Sequence, residues 1–141
     1  GCAARFLASC IICLRALRSD EENDFLPHTY PRNCIVYTGT HDNDTSLGWF
    51  VASKDKDKNA LREYWNPDER DISWSFIKMA AASVADLAIV PLQDVLKLGS
   101  EARMNTPGTS SGNWKWRYKS IDLKDEHALR LKKMTKMYGR A

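Results

Sequence analysis

Two short apolar runs govern what this chain can fold into: Cys34-Ile35-Val36-Tyr37-Thr38, closed by Gly39, and Leu87-Ala88-Ile89-Val90, closed by Pro91. Both have strand length, are continuously apolar rather than alternating, and end at a residue that interrupts a ladder. Continuous apolarity marks strands buried on both faces, as in parallel sheets. The stretch between the runs has helical periodicity, and strands joined by helical crossovers lie parallel with right-handed connections. Two such units can neither close a barrel nor cover both faces of a sheet, so the pattern calls for more chain or a second subunit.

The connecting segments can be placed from their punctuation. Ser53 is positioned to cap a helix over about Lys54–Trp65, which Asn66-Pro67 stops. Asp71 opens a second helix over Ile72–Ala85, where Ile72, Phe76, Met79 and Ser83 recur at helical spacing and Ile77, Ala80 and Val84 widen the stripe. Leu47–Val51 is an apolar run containing Trp49. After the second strand, Asp94–Leu98 supplies about one helical turn, closed by Gly99. Ser100–Tyr118 reads as an ordered loop, and an amphipathic helix follows over Leu123–Tyr138, with Asp122 as cap and Gly139 as stop.

The N-terminal part reads differently. Asp20–Asn33 is a polar loop with Pro27 and Pro31. Before it, the apolar run Phe6–Leu14 is too short to span a bilayer, and Arg15 and Arg18 follow without a small-residue cleavage site, so it reads as a buried or misplaced segment rather than a targeting signal. Cys2, Cys10 and Cys13 lie here and Cys34 lies in the first strand. No spacing demands a disulfide, the Cys10–Cys13 pair lacks a second pair for zinc, and all four read as reduced thiols.

Of the 141 residues, 43% are apolar and 28% charged, which argues against disorder. The length is short for a (β/α)8 barrel, which needs roughly 250 residues. A net charge of +3 implies no nucleic-acid partner. Nine basic residues against three acidic ones fall in 113–141, mostly in the last turns of the final helix, where cations suit the negative end of the macrodipole. They read as a solvated helix face.

In parallel α/β folds the working residues lie just beyond the carboxyl ends of strands. That rule selects Thr40-His41-Asp42-Asn43-Asp44-Thr45 after the first strand and Gln93-Asp94 after the second. Such a cluster can ligate a metal, act as acid and base, hydrogen-bond a polyhydroxylated ligand, or form a polar loop built on turns and caps. Metal is disfavoured, because adjacent His41 and Asp42 diverge in an extended loop and no second ligand set backs them. A further cluster runs through Arg103-Met104-Asn105-Thr106-Pro107-Gly108 and Gly112-Asn113-Trp114-Lys115-Trp116-Arg117. Its glycines lack the setting of a phosphate cradle, Pro-Gly signals a tight turn, and Trp114 and Trp116 are expected to pack in the core rather than stack on a ligand.

Together these strings carry a resemblance. LPHTYPRN at Leu26–Asn33, YTGTHDNDT at Tyr37–Thr45, LGW at Leu47–Trp49, PLQDVLKLGSEARMNTPGT at Pro91–Thr109 and GNWKWR at Gly112–Arg117 are similar to signatures of amylomaltase-type 4-α-glucanotransferases (disproportionating enzymes). The similarity runs over roughly Asp24–Arg117. It implies an α/β fold: the C-terminal portion, about the last two βα units, of a (β/α)8 TIM barrel that is incomplete on its own. Residues 1–20 then form an atypical, disrupted N-terminal segment, and residues 21–141 the C-terminal part of the catalytic barrel.

The family transfers α-1,4-glucan segments between maltooligosaccharides by a retaining mechanism, without a cofactor or metal. The resemblance implies that Asp42 is the transition-state stabiliser, gripping the hydroxyls of the distorted sugar in a water-poor pocket, and that His41 is a neighbouring donor to the same ring. Asn105, Gln93 and Asp94 are expected to bind substrate at the same mouth, with Asp44 and Trp49 supporting the loop. The nucleophile and acid/base lie upstream in the family, so the isolated chain is expected to be inactive. The implied partners are a maltooligosaccharide or starch-derived glucan and the N-terminal part of the barrel, with no nucleic acid and no membrane. The implied location is cytoplasmic, or plastidic in a plant or alga. The alternative is a non-catalytic glucan-binding module.

Overall fold

The computed structural model describes the backbone of residues 8–11 and all of residues 26–141. Three strands, β1 (Ala8–Ile11), β2 (Cys34–Tyr37) and β3 (Leu87–Ile89), form one parallel sheet in that order. β2 is central: Ala8 stands opposite Cys34 on one side, and Ile35 opposite Leu87 on the other. Both predicted strands are present. The third is contributed by the segment that reads as buried or misplaced, because a ladder is made by backbone groups and tolerates a run without a clear strand signature.

Between β2 and β3 run α1 (Ser46–Ala52), α2 (Asp55–Trp65) and α3 (Ile72–Ala82); α4 (Leu92–Val95) and α5 (Asp125–Met137) follow β3. The predicted caps differ in detail. Ser53 does not cap α2; its hydroxyl donates to the Trp49 carbonyl at the end of α1, and Lys54 takes the cap position without a side-chain bond. Asp71 does not cap α3 either: its carboxylate pairs with Lys97 at 2.9 Å and Arg130 at 2.5 Å, tying α3 to the chain after α4 and to α5. α3 stops at Ala82, short of Ala85, where Ser83 turns extended. The single turn α4 starts two residues earlier than predicted, and Lys97 (φ 58°) rather than Gly99 takes the left-handed position. Asp122 lies in a separate 3-10 turn, accepting from the Lys119 amide, and α5 begins at Asp125.

One face of the sheet is covered. Cys34 and Val36 are inaccessible to solvent and pack with Phe76, Met79 and Ala80 of α3, Phe50 of α1 and Leu61 of α2. Each large apolar side chain buried in this way contributes ~1.5–3 kcal/mol relative to exposure. α3 is apolar nearly all round because it is covered on its far side too: Trp74 and Ile77 meet Val95 and receive Leu131 and Met134 from α5. The Arg130 guanidinium lies 4.1 Å over the Trp74 ring, and Arg140 donates to the Ala81 and Ser83 carbonyls at the end of α3. Two of the basic residues that read as a solvated face are therefore structural ties.

The other face of the sheet is open. Ile35 and Tyr37 are half-buried, and Leu87 and Ile89 on β3 are 46% and 41% exposed. Among the described residues, the predicted buried strand at 87–90 is thus an edge strand uncovered on one side. Its composition suits a sheet covered on both faces, and no cover lies among the described residues. Cys34 is buried, whereas the side chains of Cys2, Cys10 and Cys13 lie outside the described residues, as do Arg5, Arg15 and Arg18. Among the described residues no helix is long and apolar enough to cross a membrane.

Candidate functional site

At the carboxyl end of β2 the chain enters a loop, Thr38–Ser46, whose shape is set by its own short polar side chains. Asn43 Oδ1 accepts from both the amide and the hydroxyl of Thr40 at 2.8 Å. Asp44 Oδ1 accepts from the Thr45 amide, and Asp44 Oδ2 from the Ser100 hydroxyl at 2.7 Å. Thr45 then caps α1, its hydroxyl accepting from the Gly48 amide at 3.0 Å. This cap is what makes Leu47–Val51 a helix, which apolarity alone did not reveal. Gly48 has no room for a side chain: a Cβ there would stand 2.4 Å from Ser100 Oγ and 2.6 Å from Asp44 Oδ1.

Three residues of the second cluster close over this loop. Asn105 Nδ2 donates to Asp42 Oδ1 at 2.5 Å, and the Asn105 amide donates to the His41 carbonyl at 3.1 Å. Arg103 bridges the two, donating to the Asn105 carbonyl and to the Asp42 carbonyl, each at 2.8 Å. Trp114 supplies an aromatic wall, its ring centroid 5.1 Å from that of His41. It is 52% exposed and holds a left-handed backbone (φ 61°), uncommon for so large a residue and a form of strain that concentrates at functional sites. Trp116 is half-buried. Neither tryptophan is a core residue: Trp114 meets the His41 ring and Trp116 lies 6.4 Å from the Tyr118 ring, both on an irregular loop.

Asp42 and His41 have half-open side chains, at 50% and 55% exposure, and His41 Nε2 is 3.4 Å from Asp42 Oδ1. The pocket expected to exclude water is therefore open in this chain. Two cavities flank the loop: one of about 830 Å³, lined among others by Asp42, Trp49 and Phe76, and one of about 540 Å³, lined by His41, Gln93 and Met104. Gln93 is largely buried, its amide donating to the Ala102 carbonyl at 3.2 Å.

Asp94 lies beneath the mouth rather than on it. It is 1% exposed, and its carboxylate accepts from the Thr38 hydroxyl (2.7 Å), the Ser46 amide (2.8 Å) and the Ser46 hydroxyl (2.8 Å). Burial raises its pKa above the ordinary carboxylate value, the Thr38 and Ser46 hydrogen bonds offset part of that rise, and the like charge of Asp44 adds to it. A strand-end position does not by itself separate a side chain on the rim from one turned under it, and α4 turns Asp94 under.

The loop, the strand end and the aromatic wall lie together at one end of the sheet, and comparison with known proteins gives the family of the chain. The family model of 4-alpha-glucanotransferases matches residues 4–124. The chain belongs to the 4-alpha-glucanotransferase family. A 4-alpha-glucanotransferase of Synechocystis is 49% identical over 127 residues, covering 89% of this chain and 25% of that protein. A Thermus thermophilus 4-alpha-glucanotransferase is 48% identical, covering 80% and 24%, and a Solanum tuberosum one, named chloroplastic/amyloplastic, is 47% identical, covering 89% and 22%. An amylomaltase from Streptococcus agalactiae in complex with acarbose superposes with a TM-score of 0.89 at 32% identity, covering 96% of this chain and 28% of that one. The chain thus spans about a quarter of the length of these relatives. That share does not by itself support a placement at the C-terminal end. The family match begins at residue 4, ahead of β1, and ends beyond Arg117.

Proposed function

We propose that this chain is one sector of a (β/α)8 barrel in a 4-alpha-glucanotransferase that transfers α-1,4-glucan segments between maltooligosaccharides with retention of configuration. The observation that carries the reading is the meeting of Asp42 and Asn105 at the carboxyl end of β2, beside the His41–Trp114 pair. The open apolar face of the sheet supports a barrel interior completed by other parts of the protein. That the sector comes from the end of the barrel rests on motif order alone.

In this reading Asp42 accepts hydroxyl hydrogens of the sugar at the cleavage site, and its grip tightens as the ring flattens toward an oxocarbenium-like transition state. His41 donates to the same ring, Asn105 orients Asp42 and lines the mouth, and Gln93 borders the adjoining cavity. A retaining mechanism needs a nucleophile and an acid/base about 5–5.5 Å apart. Asp44 is held by Ser100 and Asp94 is buried, so among the strand-end carboxylates of the described residues Asp42 is the open one, and in this reading the isolated chain does not turn over because its nucleophile and acid/base come from elsewhere in the barrel. The substrate is a maltooligosaccharide or starch-derived glucan, and the macromolecular partner is the remainder of the barrel.

Maltotriose disproportionation tests both parts. The purified 141-residue chain should release no glucose and form no longer oligomers. In the full-length enzyme Asp42→Asn should lower turnover by about 10³-fold or more with the fold retained. Glucose release by the isolated chain, or a mild loss in the variant, refutes the respective claim.

A glucan-binding role without catalysis is the second reading, favoured by the exposed Trp114 ring beside His41. It predicts maltooligosaccharide binding by the isolated, cooperatively folded chain.

A further inference from the structure

We infer that Asp94 is the positioning residue of the Asp42 loop: one buried carboxylate fastens both ends of that loop, and the placement of Asp42 depends on it. The inference rests on Asp42 being the working carboxylate. The loop leaves β2 at Thr38 and enters α1 at Ser46. Those two residues, the first and last of the loop, converge on Asp94, which comes from α4, just beyond the carboxyl end of the neighbouring strand. Oδ2 takes the Thr38 and Ser46 hydroxyls and Oδ1 takes the Ser46 amide. All three donors and the acceptor are buried.

The residue type matters. A carboxyl group sets two acceptor oxygens side by side on a short stem, so one side chain can meet all three protein donors at once. With Thr38 and Ser46 fixed, the residues between them have few conformations that close the loop, and Asn43, Asp44 and Asn105 select among these. Nothing from Asp94 reaches the mouth. Its action on a bound sugar passes through the backbone to His41 and Asp42, so its loss should misplace Asp42 where charge develops and leave ground-state binding largely intact.

The test uses a full-length glucanotransferase carrying residues 26–141 of this chain in place of its own corresponding segment, assayed with maltotriose. Asp94→Ala should lower kcat by about 10²-fold, the cost of a displacement of about 1 Å at a reacting centre, with KM changed little. Asp94→Asn can still accept from the Ser46 amide while its NH2 donates to the two hydroxyls, and should hold kcat within about tenfold of the parent. Amide exchange across residues 39–45 should quicken in Asp94→Ala and not in Asp94→Asn. Where Asp94→Ala does not fold, Thr38→Val and Ser46→Ala each free one end of the loop, and each should lower kcat rather than raise KM. An Asp94→Ala enzyme, or a Thr38→Val and Ser46→Ala pair, that folds and keeps parental kcat overturns the inference. Asp42→Asn, run beside them, separates the two claims: a harmless Asp42→Asn sinks the assignment of Asp42, whereas a crippled Asp42→Asn with a fully active Asp94→Ala sinks only the role given to Asp94.

Discussion

The Asn105 side-chain amide donates to the Asp42 carboxylate at 2.5 Å, joining loops that are 63 residues apart in sequence. Arg103 repeats the connection at the Asp42 carbonyl, and the Asn105 backbone amide and the Ser100 hydroxyl add bonds to the His41 carbonyl and the Asp44 carboxylate, so the loop after β3 holds the loop after β2 at four points. A neutral donor suits this position: it leaves Asp42 its second oxygen for a ligand and adds no competing charge. Asn105→Asp would set two carboxylates against each other, and a close like charge disfavours ionisation of both. In the full-length enzyme, Asn105→Asp should therefore lose more turnover with maltotriose than Asn105→Ala, by about tenfold or more, and the gap should narrow as pH falls and one carboxylate protonates. Steady-state kinetics across pH 4–8 check this, and equal losses at all pH values would contradict it.

Trp114 combines a left-handed backbone with an exposed ring on His41. Both Trp114→Ala and Trp114→Gly remove the ring contact, but only glycine adopts that backbone at no steric cost. Trp114→Gly should be more stable than Trp114→Ala by about 1 kcal/mol, the scale of strain at such a position. Both should weaken maltooligosaccharide binding alike. Urea unfolding and isothermal titration separate strain from stacking, and an alanine variant as stable as the glycine variant would rule strain out.

Gly48 is where α1 passes closest to the Asp44–Ser100 hydrogen bond. Gly48→Ala should destabilise the protein by about 1–3 kcal/mol through overpacking. It should also free Asp44, because the nearest atoms it displaces are Ser100 Oγ and Asp44 Oδ1. Adding Ser100→Ala removes one of the two obstacles, so the double variant should lose less than the sum of the singles, by about 0.5 kcal/mol or more. A double-mutant cycle on thermal stability measures the coupling, and strict additivity would place the strain elsewhere.

Asp94 gives stability a pH dependence of definite sign. Its pKa in the folded protein is raised, chiefly by burial, so the folded state holds the proton more tightly than the unfolded chain does. Its contribution is fully present below the unfolded carboxylate value, about 3.9, and is lost as pH rises through the folded value. Asp94→Asn carries no such proton. Relative to the parent, the asparagine variant should gain ground as pH rises from about 4 toward neutrality and lose it again on acidification. Melting curves of both proteins over that range decide it; a constant difference would mean that Asp94 does not titrate in the window.

Much of the architecture was legible in the residues. The runs at 34–38 and 87–90, the stripe through Ile72, Phe76 and Met79, and Gly39 and Pro91 at the strand ends led to a parallel sheet with helical crossovers, whereas which face the helices cover was not legible. The motif strings pointed to the glucanotransferase family and to His41, Asp42 and Asn105, which the fold gathers at one rim. Capping was less legible. Ser53 and Asp71 are good cap residues by type, yet each found a stronger partner: the Trp49 carbonyl for one, Lys97 and Arg130 for the other. β1 was illegible because its apolar pattern carries no strand signature, and its identity comes from lying beside β2.

The sequence by itself determined the local chemistry: which runs are apolar enough to be strands, where turns interrupt them, and which loop carries the carboxylate that an open rim would use. Only the tertiary structure decided which of three acidic side chains near that rim faces outward. Asp42 is open, Asp44 is tied to Ser100, and Asp94 is turned under to fasten Thr38 and Ser46. The reason is physical. The side chain of an aspartate says what it can accept, but its role depends on which donors the fold brings to it and on whether water still reaches it, and here those donors come from segments about fifty residues away in sequence.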